Sequence, residues 1–202
     1  MRTLTEKTLQ ERLSTLFASE PRVRVLRREV KVRTADGRDV AGSVGLQHIA
    51  NARAFTLGAW AVEPPALREL RERLAPPYGS QLLTDVAMSC SSVNERVLGH
   101  GDDVPVPSRE SDVEAAVERL TAAIVDVYLP RILDVADLRP GVIDGVLARP
   151  TDYAWPVLTV LAAMTVNGID RSEVDTERLL SRKISRNKAF DSAALADTPS
   201  TD

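Results

Sequence analysis

The sequence predicts an α+β fold: an antiparallel sheet of three to five strands packed against an N-terminal helix and a helical C-terminal half. Three observations lead there. Apolar residues alternate with period two between about Arg22 and Val93, Asp36-Gly37 sits between two such runs as a hairpin signal, and from Ser111 onward the apolar spacing becomes helical. A run of strands followed by a run of helices favours α+β over a parallel α/β fold. With 44% hydrophobic and 27% charged residues in 202, the chain can bury a core of its own. One domain is expected over residues 1–190, and a disordered tail over 191–202, where no core pattern continues.

The first helix is expected from about Leu4 to Ser19, because Leu9, Leu13, Leu16 and Phe17 recur at helical intervals and Pro21 ends them. Thr3 and Glu6 have the spacing of a capping box. From Arg22 to Thr34 Val23 and Val25 share one parity and Val30 and Val32 the other, so a bulge or bend is expected near Leu26-Arg27. The returning strand carries Val40, Val44, Leu46 and His48 on one face, and a third, about Ala54 to Val62, carries Phe55 and Leu57 opposite Trp60 and Val62. Pro64-Pro65 and Pro76-Pro77 bracket a short helix. A fourth strand is expected to end near Cys90, and Gly99 to Ser108 reads as an exposed loop.

Ser111 and Glu114 open a helix whose buried stripe is Val113, Val117, Leu120, Ile124 and Val127, and Pro130 is expected to kink or break it. Leu138–Leu147, Asp152–Val166 and Ser172–Lys188 follow as helices, the second stopped by Asn167-Gly168. Leu13, Phe17, Val30, Val44, Leu46, Leu57, Val117, Leu120, Ile124, Leu158 and Leu161 are the expected core.

A formal net charge of -3 and a pI near 5.5 argue against a strongly basic nucleic-acid binder. One cysteine excludes an internal disulfide and multi-cysteine metal sites, and two histidines leave metal chemistry few ligands, so no metal and no cofactor are expected. The longest nearly apolar run, Ala154–Val166, contains Pro156 and falls short of the ~20 residues that span a bilayer. Charges are scattered through the first seventeen residues, which is not the pattern of a secretory signal, so a cytoplasmic protein without membrane association is expected.

Catalytic motifs are scarce. Gly99-His100-Gly101-Asp102-Asp103 lacks the glycine pattern and Lys-Ser/Thr pair of a phosphate cradle. Cys90 with His48 or His100 is the one available nucleophile and base, and no motif surrounds it; no activity depending on these three residues is expected. Two basic runs stand out: Arg22 to Arg33, with Arg24, Arg28 and Lys31, and the last helix, with Arg182 and Arg186. Either can neutralise phosphates or pair with an acidic protein, but the first contains no aromatic residue on which bases would stack. Trp60, with Gln47 and His48 nearby, offers an aromatic anchor on a sheet face or edge. Helices covering that face would bury it instead. The reading adopted is a non-catalytic protein-binding module of immunity or regulatory type, with nucleic-acid binding and a Cys90-histidine enzyme as alternatives.

The order of elements carries a resemblance. A leading helix, a basic strand, a hairpin into Val44-Gly45-Leu46-Gln47, the strand Phe55-Thr56-Leu57-Gly58, then Cys90 and an Asp102-Asp103 loop before a helix ending in Tyr128-Leu129-Pro130 resembles an uncharacterised bacterial group, domain-of-unknown-function family 4304, over about Leu4 to Val135. Val104-Pro105-Val106 stands where that family has paired tryptophans. The resemblance implies a fold and no mechanism.

Overall fold

In a computed structural model that describes residues 1–82, 85–94 and 103–197, the strands form one antiparallel sheet in the order β1-β2-β3-β4-β5, with β6 paired to β4. These are β1 (Val23–Val25), β2 (Glu29–Arg33), β3 (Val40–Ile49), β4 (Ala54–Val62), β5 (Val86–Ser91) and β6 (Val104–Pro105). The α+β class follows, with more strands than the three to five expected. The helices are α1 (Arg2–Leu16), α2 (Pro65–Leu74), α3 (Val113–Ala122), α4 (Leu129–Ala136), α5 (Gly141–Ala148), α6 (Pro156–Asn167), the single turn α7 (Thr176–Leu179) and α8 (Lys188–Ala196). Where the sequence reading takes 1–190 as one domain, the chain divides into two compact units, Met1–Trp60 with Cys90–Ile132 and Ala61–Ser89 with Leu133–Asp202.

In the first unit the parity change at Leu26-Arg27, where a bulge or bend was expected, marks a full chain reversal, a tight hairpin. Leu26 N–H donates to the Glu29 carbonyl at 2.8 Å, and β1 folds back with Val23 opposite Val32 and Val25 opposite Val30. Both valine pairs thereby reach one face, as a buried face requires. The bulge itself lies one strand later, at Val32/Arg33, beside the Asp36-Gly37 turn, where Gly37 takes φ +72. Val30, Val44, Leu46, Phe55 and Leu57 form the buried face with Leu9 and Leu13 of α1 and with Val117, Leu120 and Ile124. Phe17, expected in the core, lies past the end of α1 and is half-exposed. Val104, expected in an exposed loop, is buried because β6 pairs it with Phe55. The rest of that loop through residue 102, His100 included, lies outside the described residues.

The expected capping box does not form. Thr3 lies inside α1, whose N-cap is Met1, and Glu6 is buried to 1% exposure. Its carboxylate is bound by Arg2 at 3.0 Å, Arg28 at 2.9 Å and Arg27 at 3.2 Å. Burial alone would raise the Glu6 pKa, but the hydrogen bonds from Arg28 and Arg2 outweigh it and hold the group below its ordinary 4.5. The folded chain thus keeps Glu6 ionised at a pH where the unfolded chain has begun to take up a proton. The resulting stability is complete above about pH 4.5 and is lost as pH falls through the depressed value. Denaturation midpoints of a Glu6→Gln variant should therefore change less on acidification below that point than those of the parent; equal slopes would show that Glu6 does not contribute.

Pro130 neither breaks nor ends its helix. Proline lacks the N–H for the usual bond four residues back, and its ring crowds the carbonyl there. The chain adapts with a π-helical turn at Ala123–Tyr128, where Leu129 N–H reaches the Ile124 carbonyl, and α4 continues beyond it.

The second unit is built around α6, in which every residue from Pro156 to Met164 is buried, as expected of a helix apolar on all sides. It contacts α2, α5 and α8 and ends at Gly168 with φ +62. Ser172–Lys188 is not one helix. Asp170 caps a short 3₁₀ turn, Asp175 caps α7, and turns occupy the stretch before Asn187 caps α8. Each Asx side chain accepts from a backbone N–H of the segment that follows, so each opens a separate short element. Of the expected tail, residues 191–197 are ordered: α8 runs to Ala196 and buries Asp191, Ala194 and Leu195.

Tyr153 packs its hydroxyl against α5 at Gly145, where a Cβ would collide with it. Alanine ordinarily stabilises a helix interior over glycine by ~1 kcal/mol. Here Gly145→Ala should instead destabilise by ~1–3 kcal/mol, because the buried tyrosine has to move. Adding Tyr153→Phe, which deletes the colliding oxygen, should recover part of the loss in a double-mutant cycle; additive losses would place the cause elsewhere.

Candidate functional site

The sheet of the first unit has one buried face and one partly open face. Val30, Val44, Phe55 and Leu57 point inward, so strand alternation sends Arg24, Lys31, Gly45, Gln47, Gly58 and Trp60 to the other side. Arg24 lies opposite Lys31, and Lys31 opposite Ser43. Gly45 and Gly58 form a flat floor: a Cβ on Gly45 would stand 3.9 Å from the Gly58 carbonyl, and one on Gly58 3.7 Å from the Gln47 amide nitrogen. Gln47 is exposed, Trp60 is half-exposed, and Ile49 extends the face at 38% exposure.

His48 does not join them. It falls on the opposite parity and stacks edge-on against Phe55, 5.9 Å between ring centres, so Gln47 and Trp60 share a face that excludes it. The basic run is also divided. Arg27 and Arg28 sit in the β1–β2 turn and bind Glu6, Arg33 donates to the Gly37 carbonyl at 3.1 Å, and Lys31 lies 3.5 Å from Glu29. Arg24 is what remains of the run on the open face, where Lys31 stands beside Glu29. Arg182 and Arg186 belong to the second unit, on turns and not on a helix. Cys90 is buried, and among the described residues no group of His, Cys, Asp and Glu has metal-binding geometry.

The second unit holds a polar cleft of about 160 Å³ that sequence patterning did not find, lined by Glu63, Arg71, Ser80, Leu82, Asp85, Val86 and Trp155. Glu63 follows β4 directly and is 4% exposed. Its two oxygens accept from Arg71 Nε at 2.8 Å and Nη2 at 3.0 Å, a bidentate pair that raises the Arg71 pKa, and Arg68 stands 3.7 Å away. The Arg71 guanidinium lies 5.7 Å from the Trp155 ring centre. Beside Trp155, Tyr78 donates to Asp191 at 2.6 Å, and Ser185 donates to the other Asp191 oxygen at 2.7 Å. Burial, reinforced by Asp191, pushes the Tyr78 pKa up, so its hydroxyl stays a donor. Arg186 covers the Tyr78 ring and donates to the Gly79 carbonyl. The sequence signal for this cleft is faint: a glutamate ahead of Pro64-Pro65, and an arginine eight residues on.

A larger groove, about 320 Å³, runs between α2 and α6, but its polar lining, Glu69, Arg73 and Thr165, is exposed and fixes nothing. Among the described residues no helix is long and apolar enough to cross a membrane. The class that fold and site define is an α+β protein with a half-open antiparallel sheet. Neither a family model, a curated protein nor a solved structure matches the chain.

Proposed function

We propose that the protein is a non-catalytic binding module of immunity or regulatory type that engages another protein through the open face of its sheet. One observation carries this reading: Arg24, Lys31, Gln47 and Trp60 share a face floored by two glycines. A half-exposed tryptophan beside small residues provides area for a partner side chain, and hot spots are enriched in tryptophan and arginine. Arg24 favours a partner that presents a carboxylate to this face, beside the Lys31–Glu29 pair.

The nucleic-acid alternative asks for more cations than the face offers. Binding phosphates tightly takes several free basic groups, and most of the run from Arg22 to Arg33 is engaged by Glu6, by Glu29 or by backbone carbonyls. Affinity capture from native lysate with nuclease treatment separates the two. The expected result is a stoichiometric, nuclease-resistant protein partner, with Trp60→Ala weakening binding by ~2 kcal/mol or more, about thirtyfold. Recovery of nuclease-sensitive material alone, with a steep salt dependence abolished by neutralising Arg24 and Lys31, would overturn the reading. Survival of the partner in Trp60→Ala would remove this face from it.

A further inference from the structure

We propose that the cleft of the second unit binds a small zwitterion of the α-amino-acid class, its carboxylate on Arg71, its ammonium group on Asp85 and its side chain against Trp155 and Val86. The lining combines the two signs of charge in one small space. Glu63 commits both carboxylate oxygens to Arg71 Nε and Nη2, and this pair aims the guanidinium without engaging Nη1. Arg71 is 28% exposed, so solutes can reach it, while the buried Glu63 fixes where it points. Asp85 lines the same space and is exposed; its backbone carbonyl accepts from Glu63 N–H at 3.0 Å, which ties its position to that of the pair.

Charge balance selects among ligand classes. Glu63 already neutralises Arg71, so with Asp85 the lining carries a net negative charge that disfavours a simple anion such as phosphate, while a ligand that places an ammonium group on Asp85 can still lay a carboxylate on the Nη1 edge that Glu63 leaves open. A zwitterion satisfies both groups at once. Size gives the second limit: about 160 Å³ resembles cavities that admit a molecule as large as benzene, and it is smaller than the pockets that hold drug-sized ligands or nucleotides. Trp155 and Val86 give an aliphatic side chain an apolar wall.

Titration calorimetry of the full chain with L-alanine, L-valine and L-leucine tests this, with N-acetyl-valine and valine amide as ligands that each lack one charge. At least one free amino acid should give a saturable isotherm. Removing either ligand charge should weaken binding about tenfold or more, as should Asp85→Asn, since each deletes a charge-assisted hydrogen bond. Asp85 is the residue to change because it is exposed and has φ +65, a conformation asparagine also tolerates, so the variant keeps the fold. Absence of saturable heat from all three amino acids at up to ~10 mM would overturn the proposal. So would unchanged affinity of the blocked ligands or of Asp85→Asn, leaving Glu63 and Arg71 as an ion pair that holds α2 to the end of β4.

Discussion

Replacing Arg71 with methionine should lower the unfolding free energy by ~3 kcal/mol or more, because it leaves a buried carboxylate without its bidentate partner. Glu63 is 4% exposed and has both oxygens bound to this one side chain. Arg68 is the nearest substitute, but it approaches at 3.7 Å from a position 46% exposed, so it can offset only part of the loss. Converting both partners, Glu63→Met with Arg71→Met, should cost much less than the single change and can even be neutral, since no charge is then left buried. Urea midpoints of the parent, the two single variants and the double variant measure the coupling directly. A single Arg71→Met variant within ~0.5 kcal/mol of the parent would show that solvent or Arg68 satisfies Glu63 and that the pair is peripheral to stability.

Leu120→Ala should cost ~2–5 kcal/mol, the range for emptying a fully buried leucine site. Leu120 is completely buried in α3, within the stripe of Val113, Val117 and Ile124 that joins α1 and the inner face of the sheet in the first unit's core. The cost has two parts, the lost transfer of the isobutyl group out of water and the cavity left where neighbours cannot collapse. Leu16→Ala makes the internal comparison: Leu16 lies in a helix too, but is 54% exposed, and should lose no more than ~0.5 kcal/mol. Thermal denaturation of the two variants side by side checks the contrast. Equal losses would show that the sequence periodicity was read onto the wrong helix face.

Local rules were sufficient for much of the fold. Alternation placed β3 and β4 and separated Phe55 and Leu57 from Trp60; helical spacing placed Leu120, Ile124, Leu158 and Leu161 in the core; Asp36-Gly37 and Gly168 ended their elements because glycine takes positive φ without strain. These features depend on residues a few positions apart. The reading failed where a distant partner sets the outcome. Glu6 looked like a capping residue until Arg27 and Arg28, some twenty positions on, neutralised it, and that same pairing removed both arginines from the supposed basic patch. Val104 looked like loop until β6 met Phe55.

The two candidate sites divide along the same line. Strand parity alone assigned Trp60 to the face opposite Phe55 and Leu57, but it did not pick out Gln47, which was named along with His48 for lying near it, and it could not say how open that face is. Glu63, Arg71, Tyr78, Asp85, Trp155 and Asp191 follow no common period. Glu63, Arg71, Asp85 and Trp155 line one cleft of the second unit from four separate stretches of chain, and beside it the Asp191 carboxylate, more than a hundred residues from its tyrosine partner, leaves no trace in local pattern. Sequence alone therefore determined the long, strongly periodic elements and which of their faces is apolar, since both depend on local backbone preference and hydrophobic period, but not the β1–β2 hairpin, β6 or the division of 172–196 into short capped segments. Which polar groups are buried, and what each is paired with, was decided only by tertiary packing, because burial makes an unpaired charge costly and the group that relieves it can come from anywhere in the chain.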